Sequence, residues 1–191
     1  MRRIGITGGI GSGKSVVSRL LRIMGYSVYD TDSEAKRLME SSLEVVQKLS
    51  ECFGRDIYHN GRLNRGLLSS RVFGESDKIV LLNSIVHPVV RFDFYRWSES
   101  LNEEICFVES AILYESRFDE LVDEVWTVTA PEELRIGRVR QRSGLTEEEI
   151  KKRMAAQLSE EEKQRRAAHI IWNDGNVSVI HTVLSLLKSL E

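Results

Sequence analysis

Glycine, lysine and serine near the start of the chain have the spacing of a phosphate-binding loop. The segment GITGGIGSGKSVV has four free positions between Gly8 and Gly13, followed directly by Lys14 and Ser15. In such a loop the backbone N–H groups turn inward around a di- or triphosphate, the lysine reaches the outer phosphates and the serine hydroxyl binds Mg²⁺. We therefore predict binding of a nucleoside triphosphate with Mg²⁺, against the alternative of a glycine-rich turn that only joins a strand to a helix. The predicted nucleotide contacts are Gly9, Ile10, Gly11, Ser12, Gly13, Lys14, Ser15 and Val16.

Acidic residues follow two of the predicted strands. One strand, residues 26–29, stops at Asp30-Thr31-Asp32, and another, residues 105–108, is followed by Glu109. Ligands of open parallel sheets bind outside the carboxyl ends of the strands. Asp32 could accept the proton of a hydroxyl that attacks the γ-phosphate, could hold Mg²⁺ through water, or could only cap the following helix. Glu109 has the position of a Walker B acid and is a candidate Mg²⁺ ligand, unless it is an ordinary charge at the end of a strand.

Arginine is concentrated in residues 135–142, where Arg138 and Arg142 lie four positions apart and share one face of a predicted helix. Phosphoryl transfer needs positive charge near the γ-phosphate oxygens, and arginines on a mobile lid supply it while water is excluded. We predict such a lid over about residues 138–160. The alternative is a solvated helix face whose charge is balanced by neighbouring acids.

The whole chain has 191 residues, of which 29% are charged, and a formal net charge of −2. This balance predicts no general electrostatic attraction to nucleic acid or to an anionic membrane. The sequence has no long apolar run, and the loop starts too close to the first residue to leave room for a signal peptide, so we expect a soluble cytoplasmic protein. Cys52 and Cys106 have apolar neighbours and are expected to be reduced thiols in the core.

Strand-like and helical segments alternate along the chain, which predicts the α/β class. We expect a five-stranded parallel sheet of the P-loop NTPase type, flanked by helices, with a helical insertion and an arginine-rich lid. Residues 1–32 and 105–191 would form a nucleotide-binding core, and residues 33–104 a helical insertion that binds the acceptor. Within the insertion we predict helices at 33–53, 64–73 and 77–86 and a further helix that begins at His87-Pro88. Capping boxes at Thr146 and Ser159 predict two helices after the arginine-rich one.

Among proteins with a phosphate-binding loop, a small-molecule kinase fits best. A guanine-nucleotide switch should carry Asn/Thr-Lys-x-Asp and Asp-x-x-Gly motifs, and this sequence has neither. A transport or remodelling ATPase would normally be larger and would carry a signature or sensor element. A kinase needs a phosphate-binding loop, an acid after the second strand, an insertion to hold the acceptor and a cationic lid, and the chain offers all four.

Several motifs, in order and over nearly the full chain, resemble the dephospho-CoA kinase family. The matching stretches are TGGIGSGKS at Thr7, DTD at Asp30, FG at Phe53, GRLNR at Gly61, VF at Val72, LNSIVHP at Leu82 and WNDG at Trp172. The resemblance implies transfer of the γ-phosphate of ATP to the ribose 3′-hydroxyl of dephospho-CoA, the last step of coenzyme A synthesis. The chain departs from the family pattern at Lys36, where the family has arginine, and at Ala111, where it has proline.

The resemblance also implies roles for particular residues. Asp32 would be the general base, Lys14 and Ser15 would bind phosphates and Mg²⁺, Arg138 and Arg142 would be lid cations, and Asn173 would lie near the adenine. The substrate contacts expected from the matched motifs are Thr7, Arg65, His87 and Glu115, although the residues alone favour a capping or packing role for His87. The expected partners are ATP and dephospho-CoA, with no nucleic acid or membrane, and the chain would be a monomer or a weak homo-oligomer. A kinase for another small acceptor, such as a nucleoside monophosphate, and a nucleotide-gated binding module are the alternatives.

Overall fold

A computed structural model of the protein describes residues 1–190 and divides the chain into two compact units. The first unit comprises Met1–Asp30 and the residues from Asn102 onward, and the second comprises Thr31–Leu101. The strands are β1 Arg2–Thr7, β2 Ser27–Asp30, β3 Tyr58–His59, β4 Arg62–Leu63, β5 Ile105–Glu109, β6 Glu124–Thr129 and β7 His169–Trp172. The helices are α1 Lys14–Ile23, α2 Thr31–Ser41, α3 Leu43–Phe53, α4 Arg65–Val72, α5 Ser76–Ser100, α6 Glu132–Ser143, α7 Glu147–Ala155, α8 Glu160–Arg166 and α9 Val179–Lys188.

The first unit is built on a five-stranded sheet in the order β2-β5-β1-β6-β7, and every neighbouring pair is parallel. The predicted five-stranded parallel sheet is therefore confirmed. The central strand β1 is apolar and fully buried at Ile4 and Ile6, as a strand covered on both faces must be. Helices α1 and α9 bury their apolar stripes against this sheet. Their contribution to the core is Val17, Leu21, Val183 and Leu187, which pack with Phe107, Trp126, Val128 and Ile171.

The second unit is mainly helical and contains a hairpin that the sequence analysis did not predict. Strands β3 and β4 pair antiparallel through Asn60 and Gly61, which have φ of 50° and 75°. An Asn-Gly pair between two short strands is typical of such a turn, so the sequence contained enough information to predict this hairpin. The buried apolar residues of this unit are Leu38, Val45, Leu49, Phe53, Ile57, Leu63, Leu68, Ile85, Val86, Val90 and Phe94.

Two predicted helix boundaries in the second unit are wrong. The helix predicted over 33–53 is two helices, because Ser42 leaves the helical conformation and its hydroxyl caps α3 by accepting from the N–H of Val45. The break predicted at His87-Pro88 does not occur, and α5 runs without interruption for 25 residues. Pro88 forfeits one backbone hydrogen bond there. Burial of the apolar residues on both sides of the proline outweighs that loss.

The two helices predicted after the arginine-rich one are present as α7 and α8, and each begins directly after its predicted cap. The arginine-rich helix α6 ends at Gly144, which has a φ of 67°. Thr146 and Glu149 form a complete capping box. Ser159 also caps its helix, α8, by accepting from the N–H of Glu162, but the Glu162 carboxylate pairs with Arg165 and Arg166 instead of closing the box. Of the two cysteines, Cys106 is buried as expected, but Cys52 is exposed on α3, which corrects its predicted core position. No helix within residues 1–190 combines the length and apolarity that crossing a membrane requires.

Candidate active site

The loop between β1 and α1 is shaped by glycines in conformations that other residues rarely adopt. Gly8, Gly11 and Gly13 have φ of 143°, 80° and 99°. A Cβ atom on these glycines would collide with the carbonyl of Val128, the backbone of Arg135 and the side chain of Asn173, respectively. Gly13 directly precedes α1, so the free N–H groups of the first helical turn face the loop. This is the concave, donor-lined shape that an anion needs.

The side chains around the loop also fit a phosphate ligand. The Lys14 ammonium donates to the carbonyls of Gly8 at 2.7 Å and Gly9 at 3.3 Å, so it lies across the loop. Ser15 and Val16 are exposed in the first turn of α1. The hydroxyls of Thr7 and Ser12 are buried and make no hydrogen bond within residues 1–190. Buried hydroxyls without a partner are costly, and at this edge they are donors available to a bound ligand.

Two carboxylates lie side by side at the carboxyl edge of the sheet. Asp30 ends β2 and Glu109 ends β5, and the two residues are register partners. Burial raises the pKa of Glu109; the nearby Asp30 charge acts in the same direction, and the Lys14 ammonium opposes it. Carboxylate and hydroxyl oxygens are the ligands that Mg²⁺ prefers, and it commonly uses only one or two of them beside phosphate and water. Residues 1–190 contain no group of three or more His, Cys, Asp or Glu side chains able to enclose a metal.

Arg138 and Asn173 both contact the loop. One Nη atom of Arg138 lies 3.4 Å from the carbonyl of Gly11 and 3.5 Å from that of Ser12, and the other donates to the carbonyl of Asn173 at 2.8 Å. The Asn173 amide donates to the carbonyl of Ser12 at 2.9 Å. Arg142 instead is exposed in the last turn of α6. The structure thus brings Arg138 and Asn173 to the loop and leaves Arg142 in solvent.

Arg135 is a loop contact that the sequence analysis did not select. Its guanidinium is almost fully buried, donates to the carbonyl of Ile10 at 3.0 Å and lies 3.4 Å from the carboxylate of Glu160. On the other side of the loop, Gln157 accepts a hydrogen bond from the N–H of Ile10 at 2.9 Å. The concentration of arginines in α6 indicated that one of them could contact the loop, and Arg135 does. The sequence around Gln157 and Glu160 contains no motif that indicates a contact with the loop.

The side chain of Glu115 contacts residues of its own unit, among them a buried lysine. Its carboxylate accepts from the N–H of Leu158 at 2.7 Å and lies 3.6 Å from the ammonium of Lys163. Lys163 is fully buried and also donates to the carbonyl of Ala111 at 2.9 Å. Burial lowers the pKa of Lys163, while the Glu115 charge opposes that shift. The carboxylate of Glu115, predicted as a substrate contact, is thus engaged with its own chain.

Three candidate residues belong to the second unit. Asp32 is exposed and lies in the first turn of α2, which begins at Thr31. Arg65 begins α4 and pairs with Glu40 at 3.1 Å. His87 is half-buried on α5; burial lowers its pKa, and the charge of Arg91 adds to that effect.

The sheet order, the glycine-lined loop and the arginine-bearing helix beside it define a small-molecule kinase of the P-loop class. Shikimate kinase from Acinetobacter baumannii in complex with shikimate shares this fold, with a TM-score of 0.58 and 16% identity over 100% of this chain and 93% of that one. The crystal structure of TT1252 from Thermus thermophilus is more similar, with a TM-score of 0.85 and 36% identity over 100% and 98% of the two chains.

Sequence comparison identifies the family. The family model of dephospho-CoA kinase matches residues 2–178. The chain is 40% identical to the dephospho-CoA kinase of Porphyromonas gingivalis, covering 100% of this chain and 95% of that one, and 41% identical to that of Bacteroides fragilis, covering 98% and 92%. This chain belongs to the dephospho-CoA kinase family, which confirms the predicted resemblance.

Proposed function

We propose that this chain transfers the γ-phosphate of ATP to the ribose 3′-hydroxyl of dephospho-CoA, forming coenzyme A. The observation that supports ATP as the phosphate donor is the glycine-lined loop with Lys14 lying across it. Family membership supports the acceptor half, and it favours dephospho-CoA over the nucleoside monophosphate alternative.

ATP binds through the backbone of the loop and through Lys14. The N–H groups of the first turn of α1 and of the loop, apart from the N–H of Ile10, surround the β- and γ-phosphates, as in other P-loop proteins. Lys14 exchanges its two carbonyl partners for phosphate oxygens. Because the ammonium attracts a negatively charged phosphate oxygen more strongly than a neutral carbonyl oxygen, this exchange favours the bound state. Asn173 and Arg138 enclose the loop on the side of α6.

The hydroxyl of Ser15 and the carboxylate of Glu109, whose register partner is Asp30, would hold Mg²⁺. When bound, the ion neutralises charge on the phosphate oxygens, as in other phosphoryl-transfer enzymes. The Glu109 carboxylate must be ionised for this role. Because burial raises its pKa, Mg²⁺ binding is expected to require a pH above that raised pKa.

The acceptor hydroxyl loses its proton to Asp32. As the 3′-oxygen forms its bond to the γ-phosphorus, the bond from that phosphorus to the β–γ bridging oxygen breaks, ADP leaves, and the proton stays on the Asp32 carboxyl. Arg138, with Arg142 on the same helix, provides positive charge where the transferred group carries its negative charge. The second unit, with Arg65 and His87, holds the acceptor.

The acceptor is tested by measuring ATP consumption with Mg²⁺ and dephospho-CoA, with AMP, CMP and shikimate as parallel acceptors. Turnover with dephospho-CoA alone, giving a product phosphorylated at the ribose 3′ position, supports the proposal. Turnover only with another acceptor refutes it, as does the absence of turnover with all four. The cytoplasmic location and the monomeric or weakly oligomeric state stay predictions.

Asp32 is tested by comparing two matched variants. Asp32→Asn should lower kcat by about 10²–10⁴-fold, the usual contribution of a general base, while ATP still binds. Asp77→Asn is the control, because Asp77 is likewise exposed and is the second residue of its helix, α5. Near-normal turnover by Asp32→Asn, or an equal loss in both variants, would remove the general-base assignment.

A further inference from the structure

Ile10, in the middle of the phosphate-binding loop, is attached to neighbouring elements through its N–H, its carbonyl and its side chain. The N–H donates to Oε1 of Gln157 at 2.9 Å, and the carbonyl accepts from Nε of Arg135 at 3.0 Å. The side chain packs on a small apolar cluster of α6 and α7, formed by Ile136, Val139 and Ile150. A residue held at all three of these points has little freedom to rotate its peptide groups.

The two polar groups that hold Ile10 are themselves fixed. Arg135 is 5% exposed and is paired with Glu160, the first residue of α8. Gln157 is half-buried in the connection after α7, and the N–H of the next residue, Leu158, donates to Glu115 at 2.7 Å. The connection after α7 is therefore held at two consecutive residues: Gln157 binds Ile10 of the loop, and Leu158 binds Glu115.

External restraint matters at this position because the loop contains little that would hold its shape. Gly9 and Gly11 flank Ile10, and glycine loses more conformational entropy on ordering than any other residue. A loop that fluctuates must be ordered by ATP at the expense of affinity, whereas a loop already held in the bound shape binds more tightly.

We propose that Gln157 and Arg135 are positioning residues for ATP, which act by holding the peptide groups of Ile10 and so couple the α6–α7 segment to the phosphate-binding loop. This role needs no contact of either residue with the nucleotide, since both bind the peptide groups of Ile10. The inference deepens the proposed function and rests on its ATP-binding half. Coupling is reciprocal, so ATP on the loop also restrains the connection at Gln157.

The test uses three variants of the full chain. Gln157→Met removes the acceptor while keeping the length of the side chain, and Gln157→Glu keeps an oxygen acceptor in place. Gln141→Met is the control, because it makes the same change of glutamine to methionine at an exposed position of α6. For each variant we would measure the affinity for a non-hydrolysable ATP analogue by calorimetry, amide hydrogen exchange at Ile10, and the KM for ATP and kcat with dephospho-CoA.

Loss of one neutral hydrogen bond should weaken binding of the analogue by about 3- to 10-fold in Gln157→Met. The KM for ATP should rise with it, the KM for dephospho-CoA should not, and the amide of Ile10 should exchange faster. Gln157→Glu should restore slow exchange and most of the affinity, and Gln141→Met should change neither. Wild-type affinity in Gln157→Met, or equal weakening in the Met and Glu variants, would overturn the proposal. If affinity and exchange follow the proposal but dephospho-CoA is not turned over, the acceptor assignment fails and the coupling stands.

Discussion

Replacing the buried lysine behind the site, Lys163→Met, should destabilise the protein measurably. Lys163 is fully buried, donates to the carbonyl of Ala111 at 2.9 Å and lies 3.6 Å from the carboxylate of Glu115. Methionine has a similar length but neither donates nor carries charge. The substitution therefore leaves the Glu115 carboxylate and the Ala111 carbonyl without their cationic partner.

The expected cost can be bounded from the surroundings of the pair. Removing one partner of a buried ion pair costs about 3–5 kcal/mol. Two features reduce this cost. The Glu115 side chain is 26% exposed and keeps its hydrogen bond from Leu158, and the removed Lys163 ammonium was itself destabilised by burial, as its lowered pKa indicates. We therefore expect Lys163→Met to lower the free energy of unfolding by about 2 kcal/mol. For a chain of this length that corresponds to a fall in Tm of about 4–8 °C.

Thermal and urea unfolding would measure this effect, with Lys151→Met as the matched control. Lys151 pairs with Glu147 at 2.6 Å, but both side chains are 54% exposed, and exposed pairs contribute little. Adding Glu115→Gln to Lys163→Met should recover part of the loss, because the second change removes the unpaired charge. A Lys163→Met protein as stable as wild type, or a double variant less stable than the single one, would refute this account of the network.

Three further outcomes are expected at the loop. Gly13→Ala should weaken binding of an ATP analogue by about 5- to 30-fold in a titration, since alanine is strained at a φ of 99° and its Cβ meets the side chain of Asn173; unchanged affinity would contradict this. Glu109→Gln should stabilise the nucleotide-free protein by an amount that grows as the pH rises from 4.5 to the raised pKa of the folded state and is constant above it, because over that range the wild-type carboxyl ionises more readily in the unfolded chain than in its buried position. Unfolding midpoints from about pH 4 to pH 8 would check it, and a difference that stays the same over this whole range would count against it. Arg138→Met should lower kcat/KM for ATP by about 10²–10³-fold, whereas Arg140→Met, at an exposed position of α6, should stay close to wild type in the same steady-state assay.

Features encoded by local patterns could be predicted from the sequence. The phosphate-binding loop is one continuous motif, and the predicted strands 26–29 and 105–108 lie within one residue of β2 and β5. The predictions failed where two local preferences competed. Pro88 predicts a helix break, yet the buried neighbours of this residue keep α5 continuous, and Ser42 interrupts a segment whose apolar spacing predicted one helix.

The contacts that complete the loop were beyond the reach of local patterns. Arg135 and Ile10 are 125 positions apart, and Asn173 and Ser12 are 161 apart. Which arginine of α6 meets the loop depends on the rotation of the helix about its axis, and the four-residue spacing of Arg138 and Arg142 does not settle which of the two is close. The burial of Lys163 was equally hidden, because it lies in a stretch of charged residues typical of an exposed helix.

The central position of β1 has a consequence for the order in which this chain can fold. The residues that pair with β1, among them Ile105 and Glu124, follow on the order of 100 residues later. Either pairing therefore requires the chain to lose the conformational entropy of a loop of that length. The second unit is one uninterrupted segment, Thr31–Leu101, and during synthesis it is complete before β5 and β6 have been made. The phosphate-binding loop, which is shaped by contacts with Arg135 and Asn173, is the first site to be synthesised and among the last to take its final form.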